Sequence, residues 1–173
     1  MVSSLNYNLF RMIDFIDRQI LTILQENART SNAEIARQVG LAPSGVFERI
    51  RKLEERGTIE GYTIRTDARN LGLGLLCFMF VRSNEQGGGV ETAEKLARIP
   101  EVLEVHHVAG EDCFLIKVRA ADTDALGRLL REKLGHIPAI TSTRTTIVLD
   151  TVKETITLPL PDSPEREEEA ARG

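Results

Sequence analysis

Ser31-Asn32-Ala33-Glu34-Ile35-Ala36-Arg37-Gln38-Val39-Gly40-Leu41-Ala42-Pro43-Ser44 is the stretch on which the reading of the fold turns. Ser31 followed three residues later by Glu34 is a capping-box pattern: a hydroxyl that accepts the Glu34 amide and a carboxylate able to reach back. Ile35 and Val39 share one face of the helix so begun, and small Ala36 lets another helix cross closely. Gly40 breaks it. Pro43 suits the first turn of the next helix, where a missing N–H costs nothing. That helix is predicted to run to about Arg56, with Gly57 as its stop.

On the N-terminal side, Asp14 is a good N-cap, Asp17 adds negative charge to the first turn, and Ile16, Ile20, Ile23 and Leu24 form one apolar stripe ending at Asn27. On the C-terminal side, Val46, Ile50 and Leu53 recur at i, i+4 and i+7 and face inward. At about 100° per residue, Ser44, Glu48, Arg51, Lys52 and Glu55 then lie opposite. Thr58 to Tyr62 and Thr63 to Arg65 alternate around Gly61 and predict a short hairpin; Asp67 to Gly74 reads as a linker. Three short helices and a hairpin make a winged helix-turn-helix, whose later helix enters the major groove of duplex DNA. The alternative is a generic three-helix bundle with a solvated polar face, against which the capping box, Gly40 turn, Pro43 start and hairpin weigh together. Glu48 and Glu55 can accept from cytosine N4 or pair with Arg51 and Lys52 one turn away.

Past the linker the rhythm changes. Leu75 to Arg82 reads as a strand, Gly87-Gly88-Gly89 as a loop, and Val90 to Ile99 as a helix with Ala93, Leu96 and Ala97 inward. Val102 to Val108 and Phe114 to Val118 are strands around a Gly110 turn. Asp122 to Leu134 is a helix with Leu126, Leu129, Leu130 and Leu134 inward, and Ile140 to Val152 is a last strand rich in Thr, Ile and Val. The order βαββαβ is that of the ferredoxin-like split βαβ. The expected class is α+β, in two domains.

The 173 residues carry a net charge of −4, with ten basic and nine acidic side chains in residues 1 to 69 and twelve and seventeen in the rest. The N-terminal part can therefore hold phosphate only where its basic side chains gather on one face. Pro159 to Gly173, with the run Glu167-Glu168-Glu169, reads as a solvated, disordered acidic tail. Leu71 to Val81 is broken by Gly72 and Gly74 and falls short of the ~20 residues of a membrane span. Met1 to Met12 lacks the apolar core of a signal peptide, and residues 1 to 11 read as a dispensable extension before Met12. Cys77 and Cys113 are too few for a disulfide scaffold, which fits a reducing cytoplasm.

Little in the chain points to catalysis. His106 and His107 are adjacent, so on a strand they point to opposite faces and cannot share one ion. Cys113 reads as a small buried residue. No Gly-rich phosphate loop and no Ser/His/Asp set is recognisable, so no catalytic residue, cofactor or metal is expected. The Gly110 loop is the one candidate small-molecule site. Glycine permits close backbone approach, exposed amides can hold a carboxylate, and Glu111 or Asp112 can pair with an ammonium. A plain β-turn is the alternative.

Several motifs together resemble one family. They are Ile13-Asp14-x-x-Asp17-x-x-Ile20-Leu21, the capping box, Leu41-x-Pro43-Ser44, and Glu48-Arg49-Ile50-Arg51-Lys52-Leu53-Glu54-x-x-Gly57-x-Ile59-x-Gly61-Tyr62. Val108-Ala109-Gly110-Glu111-Asp112-Cys113-Phe114-Leu115-Ile116-Lys117-Val118 and Thr143-x-Thr145-x-Ile147-Val148-Leu149 continue the match. Over about residues 12 to 155 the chain resembles the leucine-responsive/asparagine-synthase regulator (Lrp/AsnC) family of transcriptional regulators. The resemblance implies a homodimer joined through the C-terminal sheets and assembled into an octamer. It also implies an effector pocket, usually for an amino acid, between ferredoxin-like domains of neighbouring dimers. Carried over residue by residue, that pocket takes Gly110, Glu111, Asp112 and Cys113 with Thr141, Ser142 and Thr143. Two positions depart from the pattern: Ala42 stands where the recognition helix often has a Ser or Thr cap, and the acid common in the loop is either replaced by Cys113 or shifted to Asp112.

The layout expected is an extension (1–11), a winged helix-turn-helix (12–66), a linker (67–74), a ferredoxin-like effector and oligomerisation domain (75–155) and a tail (156–173). The side chains expected at double-stranded DNA are Ser31, Asn32, Ser44, Gly45, Glu48, Arg49, Arg51, Lys52 and Arg65. The function so read is a sequence-specific DNA-binding regulator modulated by a small amino acid or related metabolite. A ligand-independent DNA-organising protein and an enzyme using the ferredoxin-like half are the alternatives.

Overall fold

The computed structural model describes residues 13–85, 90–110 and 113–160, which fall into two compact units. One holds residues 13–64 and 155–160, the other Arg65–Glu154. The extension over residues 1 to 11, the loop Gly87-Gly88-Gly89, Glu111, Asp112 and the tail beyond residue 160 lie outside the described residues.

In the first unit α1 spans Phe15–Glu26 and starts on Asp14, whose carboxylate accepts the Asp17 amide at 2.8 Å. Helix α2 spans Asn32–Val39, with Ser31 Oγ accepting the Glu34 amide at 3.2 Å. Only that half of the capping box forms. The Glu34 carboxylate turns instead to the Arg37 guanidinium at 2.6 Å, an ion pair with both groups charged, and to the Gln38 amide at 2.7 Å. Gly40 ends α2 at φ 71°, a left-handed conformation that L side chains rarely adopt. Helix α3 spans Pro43–Glu55; Ala42 precedes it without a side-chain cap. The stripes read from the sequence meet in one core: Ile20, Leu21, Ile35, Ala36, Val39, Val46 and Leu53 are buried.

Two expectations for this unit are corrected. The hairpin over 58–65 does not form: residues 58–65 contain no strand. The Thr58 and Ile59 amides donate to the Leu53 carbonyl at 2.9 and 3.1 Å, so the donors that a first arm needs are spent on the end of α3. Residues 156–160 do not belong to a free tail either. The Leu158 amide donates to Gln25 Oε1 at 2.7 Å while Gln25 Nε2 donates back to the Leu158 carbonyl at 3.2 Å, and Leu160 packs against the helical core.

In the second unit four strands, β1 (Leu75–Ser83), β2 (Val102–His107), β3 (Phe114–Ala120) and β4 (Ile140–Ile147), form an antiparallel sheet in the order β2-β3-β1-β4. Helices α4 (Val90–Ala97) and α5 (Thr123–Arg128) complete the split βαβ; α5 widens into a π turn (Leu129–Lys133) and then tightens to a 3₁₀ turn (Leu134–His136) where one helix was expected to Leu134. Strand β4 stops five residues before the expected Val152. Cys77 faces Ile147, and only Leu76 and Leu75 of β1 lie beyond it, too few to pair β4 as far as Val152. Cys77, Met79, Val81, Phe114, Ile116 and Val118 pack with Leu96, Leu126, Leu129 and Leu134 in a core on the helix-covered side. Directly paired residues point the same way, so Phe78, Phe80, Leu115, Lys117 and Arg144 fall on the opposite side. No helix of the described residues is long and apolar enough to cross a membrane.

Candidate nucleic-acid interface and effector loop

Helix α3 is held at a fixed rotation by its buried stripe, Val46 and Leu53 being within 2 % of full burial. Ser44, Phe47, Glu48, Arg51, Lys52 and Glu55 are exposed. Arg51 is already engaged: it donates to Glu55 at 2.5 Å and Glu48 at 2.9 Å, the pairing the spacing allowed. Among the described residues Lys52 has no ion-pair partner. Ser44 and Gly45 stand in the first turn of α3, while the Ser31 hydroxyl caps α2 and Asn32 begins it.

Two expected contacts are placed elsewhere. Arg49 turns from the outward face to α1, donating to Asp14 at 2.6 Å and Asp17 at 2.7 Å. Burial alone would raise the Asp14 carboxyl, but the Arg49 guanidinium and the Asp17 amide outweigh it and hold it below its usual range. Arg65 lies in the sheet unit and donates to the Glu154 carbonyl at 3.3 Å. Its expected place was on the hairpin, and the hairpin is absent. Phe47 is also exposed on α3, a residue that a search for hydrogen-bonding side chains passes over.

At the other candidate site, Gly110 closes β2 with φ 133°, a conformation that needs glycine. The Val108 amide donates to the Cys113 carbonyl and the Cys113 amide to Val81, both at 3.0 Å, so the loop is anchored to the end of β1. Cys113 Sγ lies 3.4 Å from both the amide and the carbonyl of Ser83. Thr143 faces Val81 from the opposite edge, and Thr141 Oγ1 donates to the Arg82 carbonyl at 3.3 Å. The two expected groups therefore share one end of the sheet, about 10 Å apart across β1 at ordinary strand spacing. Arg82 and Ser83 stand between them and were not anticipated. Glu85 is also shaped by this end of the sheet: its carboxylate accepts the Thr92 hydroxyl at 2.5 Å and the Thr92 amide at 2.9 Å, fixing the start of α4.

A helix-turn-helix presenting a polar face on its last helix, on one chain with a split βαβ unit, defines a two-domain DNA-binding transcriptional regulator. Residues 13–60 match a winged helix-turn-helix DNA-binding family and residues 76–158 the Lrp/AsnC ligand binding domain. An uncharacterised HTH-type transcriptional regulator of Pyrococcus horikoshii is 40% identical over 147 residues, covering 84% of this chain and 98% of that protein. The structure of Escherichia coli AsnC superposes with a TM-score of 0.80 at 34% identity, covering 86% and 99% of the two chains. A Neisseria meningitidis transcriptional regulator in complex with L-Met superposes at 0.81 with 29% identity, covering 86% and 97%. The chain belongs to the Lrp/AsnC family of transcriptional regulators.

Proposed function

We propose that this regulator binds duplex DNA sequence-specifically as a symmetric homodimer able to build an octamer, that α3 enters the major groove, and that an amino acid modulates it. The observation that carries the reading is the division of α3 into a buried apolar stripe and an exposed face bearing Ser44, Arg51 and Lys52. The dimer rests on the sheet face without helices, where Phe78, Phe80 and Leu115 are half-buried apolar side chains on a surface that an antiparallel sheet either solvates or covers with a partner. The effector reading rests on the end of the sheet that holds Gly110, Cys113, Thr141, Ser142 and Thr143, and on the L-Met bound to the N. meningitidis relative. The charged groups on the face of α3, Glu48, Arg51, Lys52 and Glu55, sum to zero, which disfavours purely electrostatic DNA organisation.

The test combines selection from a random duplex library by the full chain with calorimetry against the twenty amino acids, L-methionine first. The expected results are an enriched palindrome-like sequence and saturable binding of an amino acid that alters DNA affinity. Salt should weaken the complex by about 0.9 log units per log unit of salt for each phosphate contacted. An unenriched pool removes the sequence-specific reading; absence of any amino-acid binding removes the effector reading alone.

A further inference from the structure

We infer that Phe47 is a specificity determinant that reads the C5-methyl group of thymine in the major groove. The inference rests on the DNA-binding reading of α3 and deepens it. Phe47 is the fifth residue of α3, in the first half of the helix, where base-edge contacts concentrate in helix-turn-helix proteins. Its side chain is 54% exposed although the core beneath α3 is closed by Val46 and Leu53. Phe47 is not among the side chains that build or pack against the helical core. Ser44, one turn before it, and Arg51, one turn after it, are exposed beside it, so the ring borders the polar face.

The chemistry around it narrows what the ring can meet. Arg51 is tied between Glu48 and Glu55, and must leave at least one of them before it can fork onto a guanine. A ring cannot bond a phosphate or a base edge, but it can cover a methyl, and thymine carries the methyl that unmodified DNA displays in its major groove. Phe15 is equally exposed, yet it opens α1 and not the helix assigned to the groove.

The experiment uses the full chain and duplexes drawn from the wild-type selection. Wild type should lose about fourfold in affinity when one particular thymine is replaced by deoxyuridine, the worth of burying one methyl. F47A should be indifferent to that replacement, and its own selected pool should lose the thymine at that position. F47L, which keeps an apolar group, should retain the preference. Melting curves should match across the three proteins, since the side chain is outside the core. A sequence preference and deoxyuridine sensitivity unchanged in F47A overturn the inference while leaving the regulator reading intact. A shift in the sedimentation of F47A with base preference intact overturns it too, by placing the ring against protein. A wild type that enriches no sequence overturns both.

Discussion

Arg49 shows what a single side chain does for the helix-turn-helix. Its guanidinium bridges from α3 to Asp14 and Asp17, and Asp17 is a buried acid. Removing the cation strands that carboxylate. R49A should cost about 1–3 kcal/mol, discounted from the range for buried pairs because Arg49 keeps a third of its exposure. R49K should fall between, since both acids are bonded by one nitrogen, Nη1, whose charge an ammonium on a shorter side chain replaces only in part. Urea denaturation reads this directly, and an unchanged midpoint in R49A would assign the arginine back to DNA. From sequence, Arg49 could not be told from Arg51: both are arginines on α3, and only the rotation set by the packed stripe separates them. The acids make a second prediction. Glu34 is held at about 2, by the Arg37 guanidinium first and the Gln38 amide second. Lys133 beside Glu101, and Lys117 with Arg119 beside Glu154, likewise hold those carboxyls below their usual value. Each gives up its proton more readily folded than unfolded, so the stability it lends is whole above about pH 4.5 and is lost as pH falls toward the folded values. Melting temperature should be flat from pH 7 to about 5 and drop steeply below, less steeply in E34Q. A flat acid limb would contradict these ion pairs.

At the scale of elements, local signals decided what the sequence could show. Caps, glycine stops and apolar periodicity are written in neighbouring residues, and α1, α2, α3 and the order of the split βαβ follow from them. What the sequence did not show depends on distant partners. Strand β4 ends because β1 ends, and the 58–65 hairpin fails because its first amides are taken by the Leu53 carbonyl. Proline and glutamate content marks the last residues as solvated, yet Leu158 and Leu160 find Gln25 and the helical core, 133 residues away in the first case. That segment should be structural. Truncation after Glu154 removes two hydrogen bonds and one partly buried leucine, and should destabilise the helix-turn-helix by about 1–3 kcal/mol. Q25A alone should cost about 1 kcal/mol. Hydrogen exchange in α1 checks both; full-length protection in the truncated chain would return residues 155–160 to a passive tail. The chain enters the sheet unit at Arg65 and leaves it at Glu154. These two are hydrogen-bonded to each other, and Lys117 and Arg119 hold the Glu154 carboxylate. Both connections therefore start from one charged cluster on the sheet.

For the whole molecule, the open sheet face decides whether one copy suffices. A monomer would leave Phe78, Phe80 and Leu115 on a surface with no helix over it, with the Arg144 guanidinium 4.1 Å above the centre of the Phe80 ring. The candidate effector end was legible only as residue types. Gly110 and the threonines could be named, but not that β1 would separate them and set Arg82 and Ser83 between them, because strand order is a property of the assembled sheet. Oligomerisation is subject to the same limit, and it has a direct test. F78E with F80E places two carboxylates on the open face without touching the core beneath, which is built from the alternate residues Cys77, Met79 and Val81. The double variant should stay folded, with melting close to wild type, and sediment as a monomer where wild type forms at least a dimer. Its DNA affinity should fall by about two orders of magnitude or more, because two recognition helices joined in one particle profit from a high effective concentration at the second half-site. Half-sites one helical turn apart, about 34 Å, are what a two-fold pair of α3 helices reads, and changing that spacing by half a turn should weaken wild type and leave the monomer unaffected. A double variant that remains dimeric would move the interface to another surface. One that is monomeric yet binds with full affinity would show that a single helix-turn-helix is enough.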